Sequence, residues 1–179
     1  TVVFPAERAG TWRVGMVANQ SRTVFEGTNT FNNTNVAAGT IQIQAPDLVI
    51  NAFSANTNSA QFGQTVTLTW TVRNAGNAVA ANGWSDRILL ATNATQLAGA
   101  VTLLNRAATE PVDPNTTYTR TESVPLPMLP NFKAGNYFLV AVTDSGNALP
   151  ESKETNNTAT AAIALSLPPL PDLAVANIS

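Results

Sequence analysis

The sequence predicts an all-β protein: an immunoglobulin-like β-sandwich of about seven strands, set in tandem repeats with a period near 125 residues. Three observations carry this expectation. The polar residues are mostly Thr, Asn, Ser and Gln, which favour pleated surfaces and turns, while charged residues make up only 11% of the chain. Short runs alternating apolar and polar residues are separated by segments rich in Gly, Pro and Asn, and helical periodicity nowhere extends beyond about ten residues. The chain also contains an ordered copy of one of its own segments.

That copy begins where residues 9–26, AGTWRVGMVANQSRTVFE, match residues 134–151, AGNYFLVAVTDSGNALPE. Trp12 falls on Tyr137, Val14 on Leu139, Val17 on Val142 and Glu26 on Glu151, all at an offset of 125. After a one-residue slip, Asn32-Asn33-Thr34 falls on Asn156-Asn157-Thr158, and Ile41 and Ile43 fall on Leu165 and Leu167. The first offset returns where Pro46-Asp47-Leu48 meets Pro171-Asp172-Leu173. A period this long marks whole domains in series rather than a solenoid of small units. The expected organisation is the C-terminal part of a preceding repeat at 1–45, a complete repeat at 46–170, and the first strand of the next at 171–179. A chain that starts at Thr1 inside a repeat, with no leader before it, is expected to come from something longer.

Within the complete repeat, strands are expected at 47–54, 64–74, 85–92, 101–105, 116–126, 137–143 and 159–167. The second is the clearest: Val66, Leu68, Trp70 and Val72 share one face, while Thr65, Thr67, Thr69, Thr71 and Arg73 share the other. Asn74-Ala75-Gly76-Asn77 then turns the chain, with Gly76 able to take a positive φ. Tyr137 opens the penultimate strand and fits a tyrosine corner, its hydroxyl tied back to nearby backbone. Trp12 has no hydroxyl, so the demand shared by the two copies reads as aromatic bulk, with the corner bond optional. Trp70 lies on the apolar face and reads as core.

Several function classes are excluded. His and Cys are both absent, which removes disulfides, thiolate and imidazole metal sites, cysteine nucleophiles and any Ser-His-Asp arrangement. Lys133 and Lys153, the only lysines, fall in expected loops and suit neither a Ser-Lys nucleophile nor a Lys-Asn crosslink. With nine Lys and Arg against eleven Asp and Glu, no basic footprint for nucleic acid exists. No run of about 18 apolar residues appears, so no membrane insertion is expected.

The stretch DSGNALPESKETNN, residues 144–157, gathers three acidic side chains. Asp144, Glu151 and Glu154, helped by Asn147, form a candidate Ca²⁺ set. The spacing does not match a D-x-[DN]-x-[DN]-G loop, and the earlier copy replaces Asp144 with Asn19 and Glu154 with Asn29. A turn and strand lead-in fits both copies, with Asn156-Asn157 and Asn32-Asn33 bonding locally to backbone, so no cofactor is expected beyond the calcium candidate. Glu151 and Glu154 as a glycosidase-like pair lack any indicated cleft. N-x-T sequons at Asn32, Asn93, Asn115 and Asn156 are glycosylation candidates.

The order PDL (46–48), VRNAGN (72–77), WSDRILL (84–90), YTRTESVPLP (118–127), AGNYFLVAVTD (134–144) and N-x-x-x-E-x-x-E-x-N-N (147–157) resembles the CARDB domain, the cell-adhesion-related domain of bacterial surface and secreted proteins. The resemblance covers all of 46–170. It implies an Ig-like or fibronectin-like sandwich, often in tandem, in extracellular bacterial or archaeal proteins, with an adhesive or architectural role and no catalytic motif. The expected function is therefore a structural repeat of a stalk, sheath or fibre at the cell surface. Its partners are neighbouring repeats of the same chain and like copies in a homopolymer. The proline-rich linker 166–171 suits a stiff joint between domains. The alternative is a sugar- or protein-binding accessory module, which calls for an exposed aromatic cluster around Trp84 or Phe132.

Overall fold

The computed structural model describes residues 1–169 apart from 29, 82, 129 and 130, so the strand expected at 171–179 and the end of the proline-rich linker lie outside the described residues. The first segment holds four three-residue strands: β1 (Gly10–Trp12), β2 (Gly15–Val17), β3 (Thr34–Val36) and β4 (Ile41–Ile43). The complete domain follows as β5 (Leu48–Ala55), β6 (Ser59–Gln61), β7 (Thr65–Asn74), β8 (Ser85–Ala91), β9 (Val101–Ala107), β10 (Thr117–Pro125), β11 (Gly135–Val142) and β12 (Thr158–Ser166).

The seven strands expected from alternation are all present. β10, β7 and β5 form one sheet, and β6, β12, β11, β8 and β9 form the other. The extra strand β6 pairs parallel to β12, which moves the chain from the first sheet to the second just after β5. This switch closes one side of the sandwich, because a single leading segment contributes to both layers.

β7 shows how the pattern becomes a core. Val66, Leu68, Trp70 and Val72 are at most 1% exposed, and they meet Leu48, Ile88, Leu139 and Ile163 from the surrounding strands. Burying each such side chain contributes about 1.5–3 kcal/mol. On the outer face, Thr67, Thr69 and Thr71 share hydrogen bonds with Ser123, Thr121 and Thr119 of β10 at 3.1, 3.0 and 2.8 Å. β8 is apolar on both faces, since Leu89 and Ala91 pack with Val140 in a second small cluster outside the five-stranded sheet. At the open side opposite β6, Arg106 of β9 grips Glu122 of β10 through two bonds of 2.7 and 2.8 Å and ties the two sheets together.

One polar group is built into this core. Asp86 on β8 is 2% exposed. Its carboxylate accepts hydrogen bonds from the Trp70 indole at 2.9 Å, the Tyr118 hydroxyl at 2.8 and 2.9 Å, and the Thr143 hydroxyl at 2.8 Å. Three other segments of the sandwich thus converge on a single buried carboxylate whose acceptors are satisfied.

The first segment repeats the β11–β12 hairpin in outline. Val17 pairs with Thr34 as Val142 pairs with Thr158, and Trp12 pairs with Ile41 as Tyr137 pairs with Ile163. Ile41 and Ile43 therefore take the places of Ile163 and Leu165, not of Leu165 and Leu167 as the sequence match implied. Residues 37–40 contain two more residues than the matching stretch of β12, and this shifts the register.

Candidate functional site: the strand junction and its carboxylates

Three of the motif segments meet where the chain passes from β4 into β5. Asn74, at the end of β7, is fully buried and uses its whole amide. Its Oδ1 accepts from the Asp47 and Gly76 amides at 3.1 and 3.0 Å, and its Nδ2 donates to the Ala78 and Val112 carbonyls at 2.8 and 2.9 Å. Asn77 Oδ1 accepts from the Ala45 amide at 2.9 Å, and the Asn77 amide donates to the Ala45 carbonyl at 3.1 Å. Gly76 does not have a positive φ. It is required because a Cβ there would meet the Ala45 carbonyl and lie 2.6 Å from backbone atoms of Pro46 and Asp47. The sequence reading of Gly76 as a left-handed turn residue is corrected to one of close backbone approach.

The loop after β11 closes over the same junction. Glu151 is 1% exposed, and its Oε2 accepts from the Leu48 amide at 2.8 Å across more than a hundred residues of chain. Ser152 donates its amide to the Pro46 carbonyl at 2.9 Å, and Asn156 Nδ2 donates to Asp47 Oδ1 at 2.9 Å. The paired Asn residues thus bond to carboxylates rather than to local backbone, since Asn157 Nδ2 donates to Glu151 Oε1 at 3.2 Å. Asp144 and Asn147 adopt left-handed φ values of 40° and 47°, and the Asn147 amide closes the turn on the Asp144 carbonyl at 2.9 Å. The Asp144 carboxylate then caps the Ala148 and Leu149 amides, both at 2.9 Å.

The structure brings three of the four calcium candidates together. Carboxylate oxygens of Asp144, Glu151 and Glu154 lie within 4.8 Å of one another, the first two buried and the third exposed. Asn147 is exposed on the turn. Burial pushes the Glu151 carboxyl up to about 8; the neighbouring charges of Glu154 and Asp144 add to this, against the bonds from Leu48 and Asn157.

The junction's bonds have counterparts in the first segment. Asn19 and Arg22 take left-handed φ values of 47° and 53°, at an offset of 125 from Asp144 and Asn147, and the Arg22 amide closes on the Asn19 carbonyl at 2.9 Å. Asn19 Oδ1 accepts from the Val24 amide at 3.0 Å, as Asp144 accepts from Leu149. Asn33 donates to Glu26 at 2.6 Å, as Asn157 donates to Glu151. The aromatic corner is kept as well. The Tyr137 hydroxyl donates to the Lys133 carbonyl at 2.8 Å, and the Trp12 indole N–H donates to the Arg8 carbonyl at 2.7 Å. The corner bond is therefore kept in the earlier copy, where indole supplies the donor that a phenol would.

The aromatic platform around Trp84 or Phe132 is absent. Trp84 is 1% exposed, and Phe132 stacks on Phe62 at 4.9 Å and packs edge-on to Tyr137. The exposed aromatics Phe25 and Phe31 lie in the first segment instead. Of the sequons, Asn32 and Asn93 are exposed, Asn115 Oδ1 accepts from Arg73 at 2.9 Å, and Asn156 commits its amide nitrogen to Asp47.

The CARDB family model matches residues 45–161. No curated protein matches the chain. Among solved structures, the CARDB domain of a Pyrococcus furiosus protein, crystallised in complex with di-metal ions, is 17% identical, with 72% of this chain and all of that one covered at a TM-score of 0.53. The solution NMR structure of the same domain is 19% identical and covers 69% of this chain and 97% of its own, at a TM-score of 0.52. At these identities the likeness is one of fold, and that fold is the two-layer sandwich described above. With the family match spanning well over half of its length, the chain belongs to the CARDB family of cell-adhesion-related domains.

Proposed function

We propose that the chain is a segment of a tandem array of such domains in an extracellular surface protein, where its activity is to hold neighbouring modules at fixed spacing in a stalk, sheath or fibre. The observation that carries this reading is the pairing of recurrent hydrogen bonds with an unfilled apolar face. Tyr137 and Leu139 are 7% and 0% exposed beneath the opposite sheet, whereas their counterparts Trp12 and Val14 are 45% and 51% exposed. Phe4, Trp12, Val14, Ile41 and Ile43 line an open apolar hollow of about 390 Å³. A hairpin with this face is half a sandwich, and its missing half is a layer of the kind formed by β5, β7 and β10. Consecutive prolines at 168 and 169 stiffen the joint that follows β12.

The test is a fusion placing a copy of residues 46–125 directly ahead of Thr1, which restores the 125-residue frame. Trp12 emission should move to the blue, and the first segment should become protease-resistant. If Trp12 stays solvent-exposed in the fusion, the array reading fails.

A further inference from the structure

The cluster at Asp144, Glu151 and Glu154 gathers three carboxyl groups with no cationic side chain among them. Two of the carboxylates are 1% exposed, and among the described residues no Lys or Arg forms an ion pair with any of the three. Five hydrogen bonds reach their six oxygens, and every donor is neutral: the amides of Leu48, Ala148, Leu149 and Glu151 and the side-chain amide of Asn157. Adjacent buried carboxylates with only neutral donors are strongly unfavourable when ionised, so the cluster takes up either a proton or a cation.

A second observation indicates what joins them. Asn157 is 6% exposed and directs its Nδ2 at Glu151, yet its Oδ1 has no hydrogen-bond partner among the described residues. The surroundings thus gather carboxylate and amide oxygens with no cationic side chain beside them, which is the ligand chemistry of a hard cation. We propose that Asp144, Glu151, Glu154 and Asn157 Oδ1 form a Ca²⁺ site that locks the loop after β11 onto the start of β5.

The geometry suits calcium. Ca–O distances of about 2.3–2.6 Å allow two ligands of one ion to stand up to about 5 Å apart, which accommodates oxygens lying within 4.8 Å of one another. Mg²⁺, with bonds of about 2.0–2.1 Å and a strict octahedron, draws its ligands closer than an irregular loop set readily provides. The exposed Glu154 gives the ion a path from solvent. The remaining oxygen of Glu151 holds the Leu48 amide, so the ion braces the first residue of β5 through a single side chain. In the first segment, Asn19 occupies the place of Asp144 and keeps the turn while lacking the charge, so one ion is expected per chain.

The experiment uses the whole 179-residue chain. Calorimetric titration with CaCl₂ should give one ion per chain. The melting temperature should rise by about 5–10 °C at a hundredfold excess over the dissociation constant. Glu154→Gln keeps an oxygen for the Glu151 amide, and Asp144→Asn reproduces the residue that already sustains the equivalent turn at Asn19. Each should weaken calcium binding at least about tenfold; Glu154→Gln should leave the calcium-free melting temperature within about 2 °C, and Asp144→Asn, which keeps one of the two amide caps, should lower it by a few degrees. Absence of a shift at about 10 mM Ca²⁺ overturns the proposal. It is equally overturned by a shift that both variants retain, or by Mg²⁺ acting as strongly as Ca²⁺.

Discussion

Replacing Tyr118 with Phe removes a single oxygen from the interior of the sandwich and tests whether the Asp86 network holds the two sheets together. That oxygen donates to both carboxylate oxygens of Asp86 at 2.8 and 2.9 Å and receives a longer contact of 3.4 Å from the Trp84 indole. A hydrogen bond to a charged group is worth about 1.5–3 kcal/mol, and no cavity larger than a hydroxyl results, so the expected loss is about 2 kcal/mol. Thr143→Val removes the 2.8 Å bond from the other side at similar cost and nearly constant volume. Among the side chains of the described residues, the double variant leaves Asp86 with the Trp70 indole alone. Because a buried carboxylate stripped of donors is penalised more steeply than one that loses a single bond, the two changes should together exceed their sum by about 1 kcal/mol. Urea unfolding followed by tryptophan emission reads this directly, since Trp70 and Trp84 are both buried. At about 1.5 kcal/mol per M of urea, each single change lowers the midpoint by about 1.3 M. A midpoint shift under about 0.3 M for Tyr118→Phe, or a strictly additive double variant, would refute the idea that these donors share one charged acceptor.

Further outcomes follow from the same contacts. Burial first, and then the Asp86 charge, raise the Tyr118 phenol well above its ordinary value. The folded chain therefore holds that proton more tightly than the unfolded one: the stabilisation is complete below about pH 10 and is lost as the pH climbs beyond it, and Tyr118→Phe should flatten the alkaline decline in melting temperature. Gly76→Ala forces a methyl into the backbone of 45–47 and should cost about 3 kcal/mol or more by urea unfolding; a loss under about 1 kcal/mol contradicts the close approach. Glu122→Gln breaks an exposed ion pair between the sheet edges, so its effect on the midpoint should be small and should vanish in about 1 M NaCl, where screening is nearly complete.

Alternation, bounded by segments rich in Gly, Pro and Asn, located the seven long strands of the domain; it is clearest in β7, which has one face in the core, whereas β8 is apolar on both faces. β6 escaped notice: Ser59–Gln61 is too short to alternate, and its place is set by pairing with β12 more than a hundred residues away. The junction was legible only as a set of motifs. Nothing local to RNAGN, PDL or the ESKETNN stretch announces that Asn74, Asp47 and Glu151 meet, since their bonds span between 27 and 103 residues. The acidic cluster was visible by composition, but its burial and the unpaired Asn157 oxygen depend on how the loop folds back. Trp12 is the instructive miss. Hydroxyl content alone made the corner bond look optional, whereas donor position shows that it is kept, because indole and phenol each reach the carbonyl four residues upstream.

The placement of the two ends of the domain has a mechanical consequence. Asp47 lies beside Asn156 just ahead of β12, whereas Ser166, at the far end of that strand, pairs with Gln61. The chain thus arrives at one pole and departs from the other, about 30 Å away along nine residues of extended strand. Tension pulling the poles apart runs along the strands and loads the hydrogen bonds of β5 and β12 in shear. Many bonds then have to fail together, where a domain with both ends at one pole would unzip one rung at a time.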